Sequence, residues 1–202
     1  MGSTRSKRRA IAVVAIAGCT LATAAIPSTP ATAGSLGLQL QECIGDIGEV
    51  IIKDDLLVPE GATCNLTGTE VKGSVVAGRD AVLTVTNANL RRSLQGIEGA
   101  KITVVRTFVL GYTQLDDTRA VEIDDSVLTG EVRAMSTDGR LTLTQSIMKD
   151  DVLVIGARGG VWIKGDIIQG DLDCGDLDPE PNGGSNIVRG EARGQCAKFK
   201  KT

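Results

Sequence analysis

Histidine is missing from all 202 residues, and phenylalanine, tyrosine and tryptophan together supply only four. Without an imidazole, a Ser-His-Asp or Cys-His nucleophile cannot be assembled, and a zinc site would need thiolates alone. The five cysteines contain no C-x-x-C pair, which closes that route too. Scarce rings leave few platforms for stacked bases or sugars. The only basic run is N-terminal and the net charge is −3, so nothing invites a nucleic-acid backbone. Beyond the N-terminal segment no apolar stretch reaches the ~18 to 20 residues of a membrane span, and no transmembrane segment is expected. The glycines recur at regular turns instead of opening a helix, so no phosphate cradle is formed.

What is present first is an export signal over residues 1–33. "RSKRR" is its basic region, "AIAVVAIAGCTLATAAI" its apolar region, and "PSTPATA" ends in a small-x-small cleavage site before Gly34. A second reading takes "IAGC" as a lipobox with Cys19 acylated, which would tether the chain to the cell surface. Cleavage after Ala33 removes Arg5, Lys7, Arg8 and Arg9, moving the charge from −3 to −7, and leaves residues 34–202 as one domain. Four cysteines remain, an even number in an exported chain, which favours disulfides.

The domain repeats. Apolar pairs recur at Cys64 and Leu66, Leu83 and Val85, Ile102 and Val104, Val121 and Ile123, Leu141 and Leu143, and Val161 and Ile163, in steps of 19 then 20 residues. Ile52, Val71, Leu90, Val109, Leu128, Met148, Ile168 and Val188 form a second column, and Leu56, Val75, Leu94, Thr113, Val132, Val152 and Leu172 a third. Within each period, apolar and polar residues alternate as in a half-buried strand. Helical spacing is sustained nowhere after Gly34. This pattern predicts an all-β fold, a single-stranded parallel β-helix or solenoid of about six to seven coils of 19 to 20 residues. The inward offsets lack a hexapeptide rhythm, which favours a right-handed coil. An antiparallel sandwich also has short alternating strands, but it would not hold so constant a register.

Cys43 stands 21 residues before Cys64, and Cys174 stands 22 before Cys196, about one coil in each case. Stacked rungs bring Cα atoms near 5 Å, within disulfide range. The spacing therefore predicts Cys43–Cys64 and Cys174–Cys196, one staple at each end. The closing segment "CGDLDPEPNGGSNIVRGEARGQC" resembles that of small exported bacterial proteins with glycine-rich β-helix repeats. The resemblance covers most of residues 43–196 and implies the fold, with no assigned activity. The V-x-G-x-V rungs are also similar to those of bactofilins, polymer-forming cytoskeletal β-helices, in repeat type only.

Three groups could carry function. An outward column of Glu131, Asp151 and Asp171 places carboxylates one rung apart, an arrangement calcium would suit; acids beside turns also serve simply to keep a rod soluble. Asp116, Asp117, Asp124 and Asp125 are the acids from which a polysaccharide-cleaving enzyme would be built. Trp162 points outward and is a ring available to carbohydrate or a partner. Outward threonines at Thr67, Thr84, Thr86, Thr103, Thr142 and Thr144 reflect ordinary β-propensity. In "VWIKGDIIQGDLDC", residues 161–174, the aspartates Asp166, Asp171 and Asp173 belong to a rung, and only Asp171 keeps a further role. The expectation is a secreted, non-enzymatic structural or binding module that uses no cofactor and meets a cell-wall or extracellular polymer. End-to-end association of rods is left open.

Overall fold

The computed structural model describes residues 40–200. The export signal expected over 1–33, and Cys19 within it, lie outside the described residues. From Gln41 onward the short alternating runs form 25 strands, which assemble into three parallel sheets of nine, eight and eight strands. Each coil contributes one strand to each sheet, so the sheets are the three faces of a solenoid. The first face holds strands such as Val75–Ala77 and Val152–Ile155. The second holds Val82–Thr86 and Val161–Lys164, and the third holds pairs such as Asn89–Leu90 and Ile167–Ile168. The sequence columns are the register itself: Leu94 pairs with Val75 and Thr113, and Leu141 with Val121 and Val161.

There are about eight turns, more than the six to seven expected. The apolar columns thin at both ends because glycine takes their place: Gly45 pairs with Cys64, Gly183 with Ile163 and Gly194 with Cys174. At Gly183 an added Cβ would stand 1.8 Å from the Ile163 carbonyl oxygen, so no larger residue fits. Between the ends the teeth are sealed from water, as at Leu66, Leu83, Ile102, Ile123 and Ile163. Each such side chain contributes about 1.5 to 3 kcal/mol only when rungs lie above and below it.

Sharp corners separate the faces. Between the second and third faces, Gly68, Asn87, Arg106, Asp125, Gln145, Gly165 and Ser185 all have φ between 45° and 75°. After the first face Asp80, Asp117, Ser136 and Asp176 turn the same way. Asp and Asn tolerate this left-handed region better than most residues. Their recurrence at corners is therefore a backbone requirement.

Inside the turn that follows the second face runs a column at the same period that is polar except at Ala88: Thr69, Ala88, Thr107, Ser126, Ser146, Asp166 and Asn186, all buried. From Thr107 onward each side-chain oxygen accepts the N–H of the rung before it: Thr107 from Ala88 at 3.3 Å, Ser126 from Thr107 at 3.1 Å, Ser146 from Ser126 at 3.1 Å, Asp166 from Ser146 at 2.8 Å, and Asn186 from Asp166 at 3.0 Å. Thr107, Ser126 and Ser146 return a hydroxyl proton to the carbonyl two residues earlier. Buried N–H groups that three flat sheets would orphan at the corner are thereby satisfied.

The ends differ. Cys43–Cys64 and Cys174–Cys196 are bonded as expected, with Cα–Cα distances of 5.6 and 5.3 Å. At the C-terminal end the 3-10 turn Ala197–Phe199 covers the last coil with a buried Phe199. At the other end Leu40, Ile44, Val50 and Ile51 are exposed. Among the described residues no helix is long and apolar enough to cross a membrane.

Candidate binding cleft at Trp162

Alternation on the strand Val161–Lys164 buries Val161 and Ile163 and sends Trp162 outward, where it is 38% exposed. Its register partners are Thr142 on the rung before and Asn182 on the rung after. An indole is thus flanked by a hydroxyl and an amide, each about one rung spacing of 4.8 Å away. A cleft of about 660 Å³ opens over this face, lined also by Arg140, Thr144, Gly159, Gly160, Pro179 and Glu180.

Two glycines line the cleft. A Cβ on Gly159 would stand 2.1 Å from the carbonyl carbon of Gly139, and Gly160 has φ +91°. The wall is the Pro-rich segment after Leu177, and Gln195 holds it. The Gln195 amide donates to the Leu177 carbonyl at 2.9 Å and to Glu180 Oε1 at 2.9 Å, while its oxygen accepts the Leu177 N–H at 2.7 Å. Gln195 adjoins Cys196, so the terminal disulfide fixes the residue that fixes the wall. Glu180 is thus engaged, as is Asp124 on the same face, which accepts the Thr144 hydroxyl at 2.6 Å. Arg140 is exposed and forms no ion pair among the described residues.

The acidic column is present, and two of its carboxylates are engaged by protein donors. Asp151 accepts the N–H of Asp171 and Asp171 that of Glu191, both at 2.8 Å, as Asp55 accepts that of Ser74 at 2.7 Å. Asp171 also meets Arg193 at 2.6 Å. The Glu191 N–H first, and Arg193 second, hold its carboxyl below the usual range. Glu131 instead borders a separate hollow beside Tyr112 and Arg133. Among the described residues no group of three or more His, Cys, Asp or Glu is placed to hold a metal ion. Repulsion along the column is relieved by backbone donors and a guanidinium, and the calcium expected at Glu131, Asp151 and Asp171 has no shared site.

Of the four other acids only Asp124 reaches the cleft, through the Thr144 hydroxyl. Asp116 ends a first-face strand and Asp124 a second-face strand, while Asp117 and Asp125 are corner residues with φ of 52° and 45°. Two features escaped the sequence argument. Asp166 is completely buried within the polar column; its signal was the 19-then-20 period, present for polar residues as it was for apolar ones. Thr142 and Asn182 were reachable by stepping one period either way from Trp162, but Arg140 and the curl of the C-terminal segment were not.

Comparison with family models, with curated proteins and with solved structures finds no match to this chain.

Proposed function

We propose that this protein is an exported, non-enzymatic module that holds an extracellular or cell-wall polymer against its second face, at Trp162. The observation that carries the reading is a lone tryptophan displayed on a rigid sheet inside a walled cleft. A buried ring would serve the core; an exposed one beside hydroxyl and amide groups is suited to a sugar face. Export is supported by the leader over 1–33 and by the two staples, which persist in oxidising surroundings. The non-catalytic reading is supported by the engagement of Glu180 and Asp124 in hydrogen bonds and by the dispersal of Asp116, Asp117 and Asp125 to other edges. The likeness of residues 174–196 to small exported β-helix proteins agrees with this placement.

The test is co-sedimentation of the secreted, oxidised protein with insoluble cell-wall and extracellular-polymer fractions. Retention of the wild type and at least a tenfold loss with Trp162→Ala is expected. Retention of both proteins alike, or of neither, would remove the basis for the assignment.

A further inference from the structure

We propose that the ligand of this cleft is an acidic oligosaccharide, a pyranose ring resting on Trp162 with its carboxylate at Arg140. The inference rests on the polymer-binding reading above and specifies its chemistry. Two facts select an anion. Arg140 is the cation that lines the cleft, and it has no carboxylate within ion-pair reach among the described residues, in a chain whose net charge is −3. A planar guanidinium presents paired N–H donors that match a carboxylate, an arrangement an uncharged hydroxyl does not fill as well. The cleft's own acid, Glu180, is held by Gln195 and forms no ion pair with Arg140.

The ring has a defined seat. Thr142 and Asn182 stand one rung to either side of the indole and can meet hydroxyls at the rim of a stacked sugar. The volume of about 660 Å³ lies within the ~300 to 1,000 Å³ range of small-molecule sites. Arg140 and Thr142 also border a smaller hollow of about 100 Å³ that contains Lys101 and Thr103. Lys101 pairs with Ala120, one rung before Arg140. The same hollow is lined by the exposed Glu122, the register partner of Thr142, so the acidic ring is confined to the cleft at Trp162 and Arg140.

Trp162 is the only tryptophan in the protein, so its fluorescence reports this cleft alone. The experiment titrates the secreted protein with trimers of galacturonate, glucuronate and mannuronate, and with the corresponding neutral trimers, following fluorescence and calorimetric heat. A saturable change with at least one acidic trimer is expected, with the neutral counterpart at least tenfold weaker. Arg140→Ala should abolish that preference and leave the melting temperature unchanged, since its side chain is exposed. Equal binding of acidic and neutral trimers, unaffected by Arg140→Ala, would overturn the acidic class and leave polymer binding intact. If no trimer binds while the protein still sediments with a polymer through Trp162, the acidic-sugar proposal fails alone. If it sediments with none, both fail.

Discussion

Replacing Asp166 by asparagine should stabilise this protein above neutral pH, although the substitution removes a charged group from a hydrogen-bonded column. Asp166 is completely buried; one carboxyl oxygen accepts the Ser146 N–H, and the other has no partner. Burial is the main cause that pushes its pKa from 3.8 to about 7, and the charge of Asp124 adds to it; the N–H groups of Ser146 and Lys164 pull the other way. Between those two pH values the folded chain keeps a proton that the unfolded chain has released. Stability therefore falls as pH rises from about 4 to about 7, and above that the full penalty stays. At about 1.4 kcal/mol per pH unit the gap corresponds to roughly 4 kcal/mol, a large share of the ~5 to 15 kcal/mol typical of a domain. Asparagine keeps an acceptor for Ser146 and places two N–H donors where the second oxygen is unpaired. Asn186, one rung above, already works this way: its oxygen accepts the Asp166 N–H and its amide donates to the Ile163 carbonyl at 2.9 Å. Urea unfolding of both proteins from pH 4 to 8, disulfides intact, measures the difference, in which carboxylates common to both cancel. The two should agree near pH 4 and diverge until the variant leads by up to about 4 kcal/mol at pH 8. A variant that is weaker at pH 8, or a difference that does not change with pH, would refute the argument. Asp166→Ala is the control: it leaves the Ser146 N–H unpaired and, since neither variant carries the titrating carboxyl, should lie about 1 to 3 kcal/mol below Asp166→Asn at every pH.

Removing the C-terminal staple by Cys174→Ser and Cys196→Ser should cost about 3 kcal/mol and also weaken binding at Trp162, because Gln195 loses its anchor. The same change at Cys43 and Cys64 should cost similar stability in urea and leave the fluorescence titration unaltered. Gly159→Ala drives a Cβ to 2.1 Å from the Gly139 backbone and should lower stability by about 2 kcal/mol or more. Arg106 holds φ 46° at a corner; Arg106→Asn should raise stability by about 1 kcal/mol, read from the urea midpoint. Millimolar calcium should not move the melting temperature, since Asp151 and Asp171 already serve backbone donors; an upward shift would restore the shared-ion reading.

The inward columns were legible because burial of aliphatic side chains at a constant period has few other physical solutions. The disulfides followed because cysteines about one period apart come within bonding reach, although in register Cys64 stacks on Gly45 and Cys174 on Gly194. The acids were misleading for an equally physical reason. A carboxylate at a coil corner can satisfy the next rung's N–H, as Asp55, Asp151 and Asp171 do, or tolerate positive φ, as Asp117 and Asp125 do. Sequence shows only that an acid is outward beside a turn, and both structural uses look the same as a cation site. Asp166 was hidden by alternation: it follows Gly165, at a corner where the two-residue rhythm is interrupted, and so its inward direction could not be counted from Trp162.

The cleft has its own origin in the repeat. From the left-handed corner after the first face to the first inward residue of the second, taken at positions equivalent in register, three residues intervene at Glu98 to Ile102 and at Asp117 to Val121. Four intervene at Ser136 to Leu141 and at Gly156 to Val161. This lengthening is where the period passes from 19 to 20. Arg140, Gly159 and Gly160 belong to the two longest of these turns, and Pro179 and Glu180 occupy the corresponding turn of the next coil. A change of one residue in period, which does nothing to the stacked core, widens one edge of the solenoid over three successive coils. The core columns can continue unbroken through that stretch because the extra residue is taken up outside them. The widened edge is the one place where a concave surface is formed beside Trp162. Deleting Asp138 together with Arg158, which would restore the shorter turn on two coils, should therefore remove the Trp162 fluorescence response to acidic trimers while the urea midpoint changes little. Collapse of the fold would instead mean that the longer turns are needed by the core, and that the cleft is incidental to them.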